Sequence, residues 1–136
     1  MTTPEGKLTP AQFEIMQSVW KSPEGLTVAE IWDAISKTRD VGRTTVLNLV
    51  DRLEKRGWLQ RTKSEQVFRY TATVDEQKVT SQVAREFVNE FFQGSASDLV
   101  LSLLGSRRLS SKEVEELRKV LDDAANQSSQ RKGKRS

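Results

Sequence analysis

Residues Gly42–Tyr70 read GRTTVLNLVDRLEKRGWLQRTKSEQVFRY, a helical pattern followed directly by two short strand patterns. Apolar residues recur every three or four positions from Arg43 to Arg56, which predicts a helix with one buried face. Gly57 ends that pattern, and two runs rich in β-branched, aromatic and basic residues follow it. The predicted strands are residues 58–63 and 67–71, joined by a polar turn at residues 64–66. The stretch therefore predicts a helix backed by a basic β-hairpin.

The polar face of this helix suits contact with DNA. It carries Arg43, Thr44, Asn48 and Arg52 among its charged and hydrogen-bonding side chains. Such residues contact base edges and phosphates when a helix lies in the major groove, and a basic hairpin can then rest on neighbouring phosphates. The alternative is a helix–hairpin corner whose charged face is merely solvated.

Two further helices are predicted before this stretch. Thr9 with Gln12, and Thr27 with Glu30, form capping-box patterns that predict the two helix starts. The residues predicted to face inward are Phe13, Met16, Val19 and Trp20 on the first helix and Val28, Ile31, Ala34 and Ile35 on the second. Residues 1–8 are predicted to be a loose arm. Helix, helix, short turn, helix and hairpin form the winged helix-turn-helix, predicted here for residues 1–74.

Residues 75–125 predict a second, helical domain with more apolar surface than it can bury alone. A long helix starts at Asp75. The run Leu99–Leu104 fits a buried strand or a short buried helix capped by Ser97, and we favour the helix. A capping box of Ser110 and Glu113 opens the last helix. The residues predicted to contact a second copy are Val79, Val83, Phe87, Phe91, Leu101, Leu104, Val114, Leu117 and Leu121. A monomer of four to six helices is the alternative.

Composition narrows the classes of function. The 136 residues include no cysteine and no histidine, so disulfides, thiolate metal sites and histidine-activated nucleophiles are absent. No Gly-rich phosphate loop is present, and we predict neither an enzyme nor a cofactor. No apolar run is long enough for a membrane span, and the first residues lack the pattern of a signal peptide, which predicts a cytoplasmic protein without membrane insertion.

The net charge of +3 is unevenly distributed. Residues 1–73 carry +2, residues 74–125 carry −3, and residues 126–136 carry +4. The middle segment is therefore not expected to face nucleic acid. The last segment has no apolar residue and is predicted to be a disordered basic tail, which either adds nonspecific attraction to DNA or only solubilises the chain.

Taken together, these residues resemble the penicillinase-repressor (BlaI/MecI-type) family. The resemblance spans residues 8 to about 125, and its motifs are LTPAQFEIM at 8–16, LTVAEI at 26–31, RTTV at 43–46 and LEKRGWL at 53–59. It implies a winged-helix dimer that occupies a palindromic operator and blocks transcription. It also implies a sensor protease pathway that ends repression by cutting the C-terminal helices.

The resemblance implies roles for individual residues. The DNA-binding residues would be Arg43, Thr44, Thr45, Asn48 and Arg52 on the helix and Arg61, Lys63 and Arg69 on the hairpin. The cleaved segment corresponds to Leu101–Leu104, so that Ser102 and Leu103 flank the expected cut. The operator sequence and the inducing signal stay open.

The main hypothesis is thus a mainly α protein with a small β-hairpin that acts as a dimeric, sequence-specific transcriptional repressor. One rival is a winged-helix module that binds proteins. A second rival is a one-component regulator that binds a small molecule between its two domains.

Overall fold

The computed structural model describes the backbone of residues 4–133 and the side chains of residues 4–127. The elements are α1 (Pro10–Trp20), α2 (Val28–Ser36), α3 (Arg43–Lys55), β1 (Leu59–Ser64), β2 (Val67–Ala72), α4 (Glu76–Phe91), α5 (Ala96–Gly105) and α6 (Ser111–Gly133). The predicted fold class, mainly α with one hairpin, is confirmed. The chain divides into two compact units, Met1–Val83 and Ala84–Ser136.

Side-chain caps fix the first two helix starts as predicted. In α1, Gln12 N–H donates to Thr9 Oγ1 (3.2 Å) and Thr9 N–H donates to Gln12 Oε1 (3.0 Å). The same pair of bonds joins Thr27 and Glu30 at the start of α2, at 3.1 and 2.9 Å. Each box satisfies amide groups that no helical carbonyl can reach, so both starts are set by local sequence.

The core of the first unit lies where α1, α2, α3 and the hairpin meet. Its fully buried side chains include Ile15, Met16, Ile31, Val46, Val50, Leu53 and Leu59. The predicted inward faces of α1 and α2 were partly wrong: Ile15 is fully buried, whereas Phe13 and Trp20 are half-buried and Ala34 is exposed. The buried face of α1 consists of Gln12, Ile15, Met16 and Val19. Because Gln12 is polar, the apolar pattern alone placed the centre of this face wrongly.

The hairpin has a two-residue turn and a bridge to the start of α2. Its antiparallel register runs from Leu59 opposite Ala72 to Ser64 opposite Val67. The turn residues Glu65 and Gln66 have φ angles of 51° and 67°, the left-handed pair that a type I′ turn requires. Leu26 exchanges both backbone hydrogen bonds with Tyr70, at 3.1 and 2.8 Å. The hairpin is therefore attached to the helical part by backbone pairing.

The segment before α1 is bound to the rest of the unit, so the prediction of a loose arm is wrong for residues 4–8. Arg56 donates from Nε to the Glu5 carbonyl (2.9 Å) and from Nη2 to the Lys7 carbonyl (2.7 Å). Trp58 donates its indole N–H to the same Glu5 oxygen (3.0 Å). These donors lie about fifty positions after their acceptors in the sequence, which explains why local sequence does not reveal the attachment.

The boundary between the units falls inside α4, about nine residues later than predicted. Val79 is 7% exposed and belongs to the core of the first unit. The Trp20 indole N–H also donates to the Val74 carbonyl (3.0 Å), which holds the chain that enters α4. Val79 in the first turn of α4 thus completes the winged-helix core, and it is not on the surface left for a second copy.

In the second unit, α5 is a helix, as we favoured over a strand. Its cap is Ser95, which accepts from Asp98 N–H at 3.1 Å, and not Ser97 as predicted. It is also not buried within the single chain, because Leu101 is 63% exposed and Leu104 is 44% exposed.

Helix α6 begins at the predicted capping box and ends later than predicted. Glu113 N–H donates to Ser110 Oγ, and Ser110 N–H donates to Glu113 Oε1, both at 3.2 Å. The backbone stays helical to Gly133, so the prediction of disorder is wrong for residues 126–133, while residues 134–136 lie outside the described part. No proline or glycine interrupts the sequence before Gly133, and an established helix extends one residue at a time at little cost.

Candidate nucleic-acid interface

One face of α3 is buried, and this fixes which residues it presents to solvent. Val46, Val50 and Leu53 are at most 1% exposed. The helical period then points the opposite side of α3 outward. The predicted DNA-binding residues of this helix are all exposed, and they are Arg43, Thr44, Thr45, Asn48 and Arg52. The structure thus leaves all five side chains exposed to solvent on the first unit.

The outward side chains of α3 differ in how they are held. Within residues 4–127, no hydrogen bond or ion pair engages the side chains of Asn48 or Arg52, which leaves their donors free. Arg43 lies at the start of the helix, with its Cζ 4.6 Å from the centre of the Trp32 ring. Gly42, before it, supplies no side-chain cap, and the first turn contains no acidic residue. The amino end of α3 therefore keeps the partial positive charge of its free amides.

The hairpin carries two exposed cations beside α3. Arg61 Nε lies 3.1 Å from Glu54 Oε2, and its Cζ lies 4.4 Å from the centre of the Phe68 ring. Lys63 is exposed near the turn, and no ion pair holds it in the described part of the chain. Arg61 is thus oriented by partners from α3 and β2, whereas Lys63 is free to reach a phosphate.

Arg69, which the resemblance places among the DNA-binding residues of the hairpin, is paired within the chain. Its Nη1 lies 3.0 Å from Glu30 Oε1 and donates to the Gly25 carbonyl at 3.2 Å. The residue is half-buried. The geometry makes Arg69 a brace between β2 and the start of α2.

Glu30 serves both the cap of α2 and this brace. The backbone hydrogen bond from Thr27 lowers the pKa of Glu30 below its ordinary value of 4.5, and the Arg69 guanidinium lowers it further. The carboxylate is therefore ionised throughout the neutral range, and it holds Arg69 as a charged partner.

Four residues near this face were not predicted to act there. Trp32 and Phe68 lie against arginines, and Glu54 pairs with one of them. These contacts join residues that lie apart in sequence, and no local pattern indicates them. Leu47 is different, because it is 49% exposed beside Asn48 on an otherwise polar face. Its position does not match the three- and four-residue spacing of the buried residues of α3, so the sequence alone could have indicated that it is exposed.

The second unit carries exposed apolar side chains on all three of its helices. Those predicted for the contact between copies are between 44% and 67% exposed on α4 and α5 and 37% and 61% exposed on α6, and they are Phe87, Phe91, Leu101, Leu104, Leu117 and Leu121. Val83, the last residue of the first unit, was also predicted for this contact and is 42% exposed. Val114 is half-buried and lines a cavity of about 230 Å³ with Leu104, Leu117 and Leu121. On α5, Ser102 is exposed and Leu103 is half-buried.

The residues that the structure describes contain no cluster of acidic side chains that could hold a metal ion. Nor is any of their helices long and apolar enough to cross a membrane.

Comparison with known families decides among the functions that this surface allows. The model of the penicillinase repressor family matches residues 8–123, which includes α3, the hairpin and most of the second unit. The chain belongs to the penicillinase repressor family. It is therefore a DNA-binding transcriptional repressor with a winged helix, and this family is not a class of enzymes.

Individual relatives agree with this assignment over most of their length. The chain is 29% identical over 123 residues to the penicillinase repressor of Staphylococcus aureus, covering 90% of this chain and 97% of the relative. It is 30% identical over 120 residues to the penicillinase repressor of Bacillus licheniformis, covering 88% and 93%. The structure of MarR from E. coli shares the fold, with a TM-score of 0.53 and 22% identity over 86% of this chain and 78% of that chain.

Proposed function

We propose that this penicillinase repressor family member acts in the cytoplasm as a homodimer on a palindromic double-stranded DNA operator. In this proposal each copy places one α3 helix in the major groove of a half-site. The observation that carries it is the exposed polar face of α3, whose donors are free while its other face is locked into the core.

The side chains of this face divide into two roles. Asn48 can pair with adenine, Arg43 can donate to guanine or phosphate, and Leu47 offers an apolar contact for a thymine methyl group. Thr44, Thr45 and Arg52 have the chemistry to hold the helix in register through the backbone. Arg61 and Lys63 are assigned to phosphates beside the groove, and Arg69 acts on DNA only through the position of the hairpin.

The second unit supplies the contact between copies in this proposal. Its Phe87, Phe91, Leu117 and Leu121, together with Val83 at the end of the first unit, are large apolar side chains that are still partly exposed. Burial of each in a partner would contribute only the exposed share of the about 1.5 to 3 kcal/mol that full burial of such a side chain is worth. A second copy also has the same apolar surface to offer, which suits a twofold contact. The cavity beside Val114 is assigned to this contact and not to a small ligand.

We further propose that repression ends when a sensor protease cuts between Ser102 and Leu103. Helix α5 buries none of its residues within the single chain, which makes its unwinding less costly than that of a core helix. Proteases bind extended segments, so α5 must open before the cut. The repressor itself needs no catalytic group or cofactor for this response.

Selection of bound sites from a pool of random DNA duplexes tests the proposed function. We expect enrichment of one inverted repeat whose half-site centres lie about 10 base pairs apart, or a multiple of that spacing. Replacing both Asn48 and Arg52 with alanine should abolish enrichment of that sequence. The matched control replaces Gln17 on α1 and Lys21 just after its end, an exposed amide and an exposed cation, and should enrich the same sequence as the unaltered chain. Enrichment of no sequence, or of one without an inverted repeat, would contradict the proposal.

A further inference from the structure

The three tryptophans share one structural role, and one of them has a second contact. Each donates its indole N–H to a backbone carbonyl of another segment: Trp20 to Val74 at 3.0 Å, Trp58 to Glu5 at 3.0 Å and Trp32 to Val41 at 2.7 Å. Of these three tryptophans, all within the described residues, only Trp32 also lies beneath an arginine.

The contact between Trp32 and Arg43 holds the guanidinium without using its donors. The Arg43 Cζ lies 4.6 Å from the ring centre, and no carboxylate in the described part of the chain pairs with this side chain. A guanidinium over an aromatic face keeps its N–H groups in its own plane, available to other acceptors. Arg61 and Arg69, in contrast, each give a donor to a carboxylate of the same chain.

The Trp32 ring is itself fixed from two sides. It is half-buried and packs against the core of the first unit. Its indole N–H donates to Val41, in the turn that leads directly into α3. The ring and the start of α3 therefore belong to one rigid arrangement, so that a change at Trp32 alters the setting of Arg43.

We propose that Trp32 is a positioning residue for DNA binding, which presents the Arg43 guanidinium at the front of α3 before DNA arrives. This inference rests on the contact between Arg43 and DNA that is part of the proposed function. A long side chain that is already ordered loses less conformational freedom on binding than a free one. Arg43 is then the arginine of this face that is both held in place and fully able to donate.

A double-mutant cycle on the duplex recovered from site selection tests this role. Trp32→Leu should weaken binding of that duplex roughly 3- to 10-fold, the effect of freeing one such side chain. In an Arg43→Ala background the same change should have little further effect, since the cation that the ring holds is gone. Trp32→Phe keeps an aromatic face and should retain most of the affinity.

Trp20→Leu is the matched control, because Trp20 also donates its indole N–H to a carbonyl and is half-buried but holds no cation. Any loss of affinity in this variant should be the same in the unaltered and the Arg43→Ala backgrounds, and urea unfolding of each variant allows for differences in stability. Incorporated 5-fluorotryptophan gives a second readout that needs no destabilising variant. The Trp32 fluorine signal should move on addition of the duplex more than that of Trp20.

Two results would overturn the inference in distinguishable ways. If Arg43→Ala binds the duplex as tightly as the unaltered chain, the proposed Arg43 contact fails and the role of Trp32 fails with it. If Arg43→Ala weakens binding but Trp32→Leu causes the same loss in both backgrounds, Trp32 is only structural and the proposed function stands.

Discussion

Asn48 and Lys63 are both exposed on the first unit, yet their chemistry predicts different effects on DNA binding. Asparagine can pair with one base edge through two hydrogen bonds, whereas a lysine at the edge of a hairpin meets phosphates. We expect Asn48→Ala to reduce discrimination between the selected duplex and a scrambled duplex by about 1 to 3 kcal/mol. We expect Lys63→Ala to weaken both duplexes about equally.

Titrations of both variants at several salt concentrations separate these effects. The slope of log affinity against log salt should fall by about 0.9 for Lys63→Ala and stay unchanged for Asn48→Ala, because only the former removes a phosphate contact. Equal losses on both duplexes for Asn48→Ala would show that this side chain does not read bases.

Glu30 predicts a dependence of stability on pH. Its pKa is lowered in the folded chain by the Thr27 backbone hydrogen bond and by Arg69. A carboxyl group with a lowered pKa adds stability that is fully present above its unfolded value, near 4.5, and is lost as pH falls through its folded value. Because Glu30 is largely exposed, we expect this contribution to be at most about 1 kcal/mol.

Urea unfolding of the unaltered chain and of Glu30→Gln checks this expectation. The difference in unfolding free energy should be greatest near neutral pH and should be lost as the pH falls through the lowered pKa of Glu30 in the folded chain. Asp33→Asn, on the same helix, is the control because Asp33 makes only an exposed ion pair with Lys37 at 3.7 Å. A difference for Glu30→Gln that does not change with pH would show that the carboxylate charge adds nothing.

The exposure of the predicted site residues on α3 could be inferred from the sequence, whereas the intrachain partners of the hairpin arginines could not. The exposed face of α3 follows from helical period, and its five predicted residues are all outside. Arg69 and Lys63 are both cations of the predicted hairpin, so the sequence does not distinguish them. The structure does, because Arg69 pairs with Glu30, which lies 39 positions away in the sequence. Periodicity shows which side of a helix faces solvent, whereas long-range pairing depends on how elements meet.

The start of α4 predicts different stabilities for two fragments of the chain. A fragment ending at Val83 keeps the buried Val79, whereas one ending at Val74 exposes the core beneath it. We expect the longer fragment to be more stable by about 1.5 to 3 kcal/mol, the value of one buried valine. Urea unfolding of the two fragments measures this difference.

Val79→Ala in the longer fragment should account for about half or more of that difference, since it removes the buried methyl groups and leaves a cavity. Val83→Ala is its control, because Val83 is 42% exposed in the single chain. Fragments of equal stability would mean that α4 does not complete the core of the first unit.

Helix starts that were predicted from capping-box residues are correct, whereas helix limits that were predicted from apolar patterns are less accurate. Each predicted capping box forms, because its two residues lie three positions apart and need no other element. The end of α6 was set too early, since burial is not the only reason for a helix to continue. The wrong cap of α5 arose because both Ser95 and Ser97 precede its apolar run.

The whole chain combines a DNA-reading unit with a unit whose exposed surface is rich in large apolar side chains. Two linked readers gain about a hundredfold to ten-thousandfold in avidity over one reader when both half-sites are reached together. In the proposed dimer, this gain would compensate for the modest charge of +2 on residues 1–73. In the same proposal, a cut in α5 separates the two readers and ends repression without altering any residue that is proposed to contact DNA.

Sedimentation equilibrium of the full chain with the selected duplex tests the central claim most directly, because it counts the copies bound to one operator. We expect two chains on each duplex that carries both half-sites, one chain on a duplex with a single half-site, and weaker binding to the latter. Phe87→Glu places a charge in the proposed contact and should convert tight paired binding into weak independent binding. A single chain bound to the complete operator at saturation, with the same affinity as for a half-site, would contradict the account.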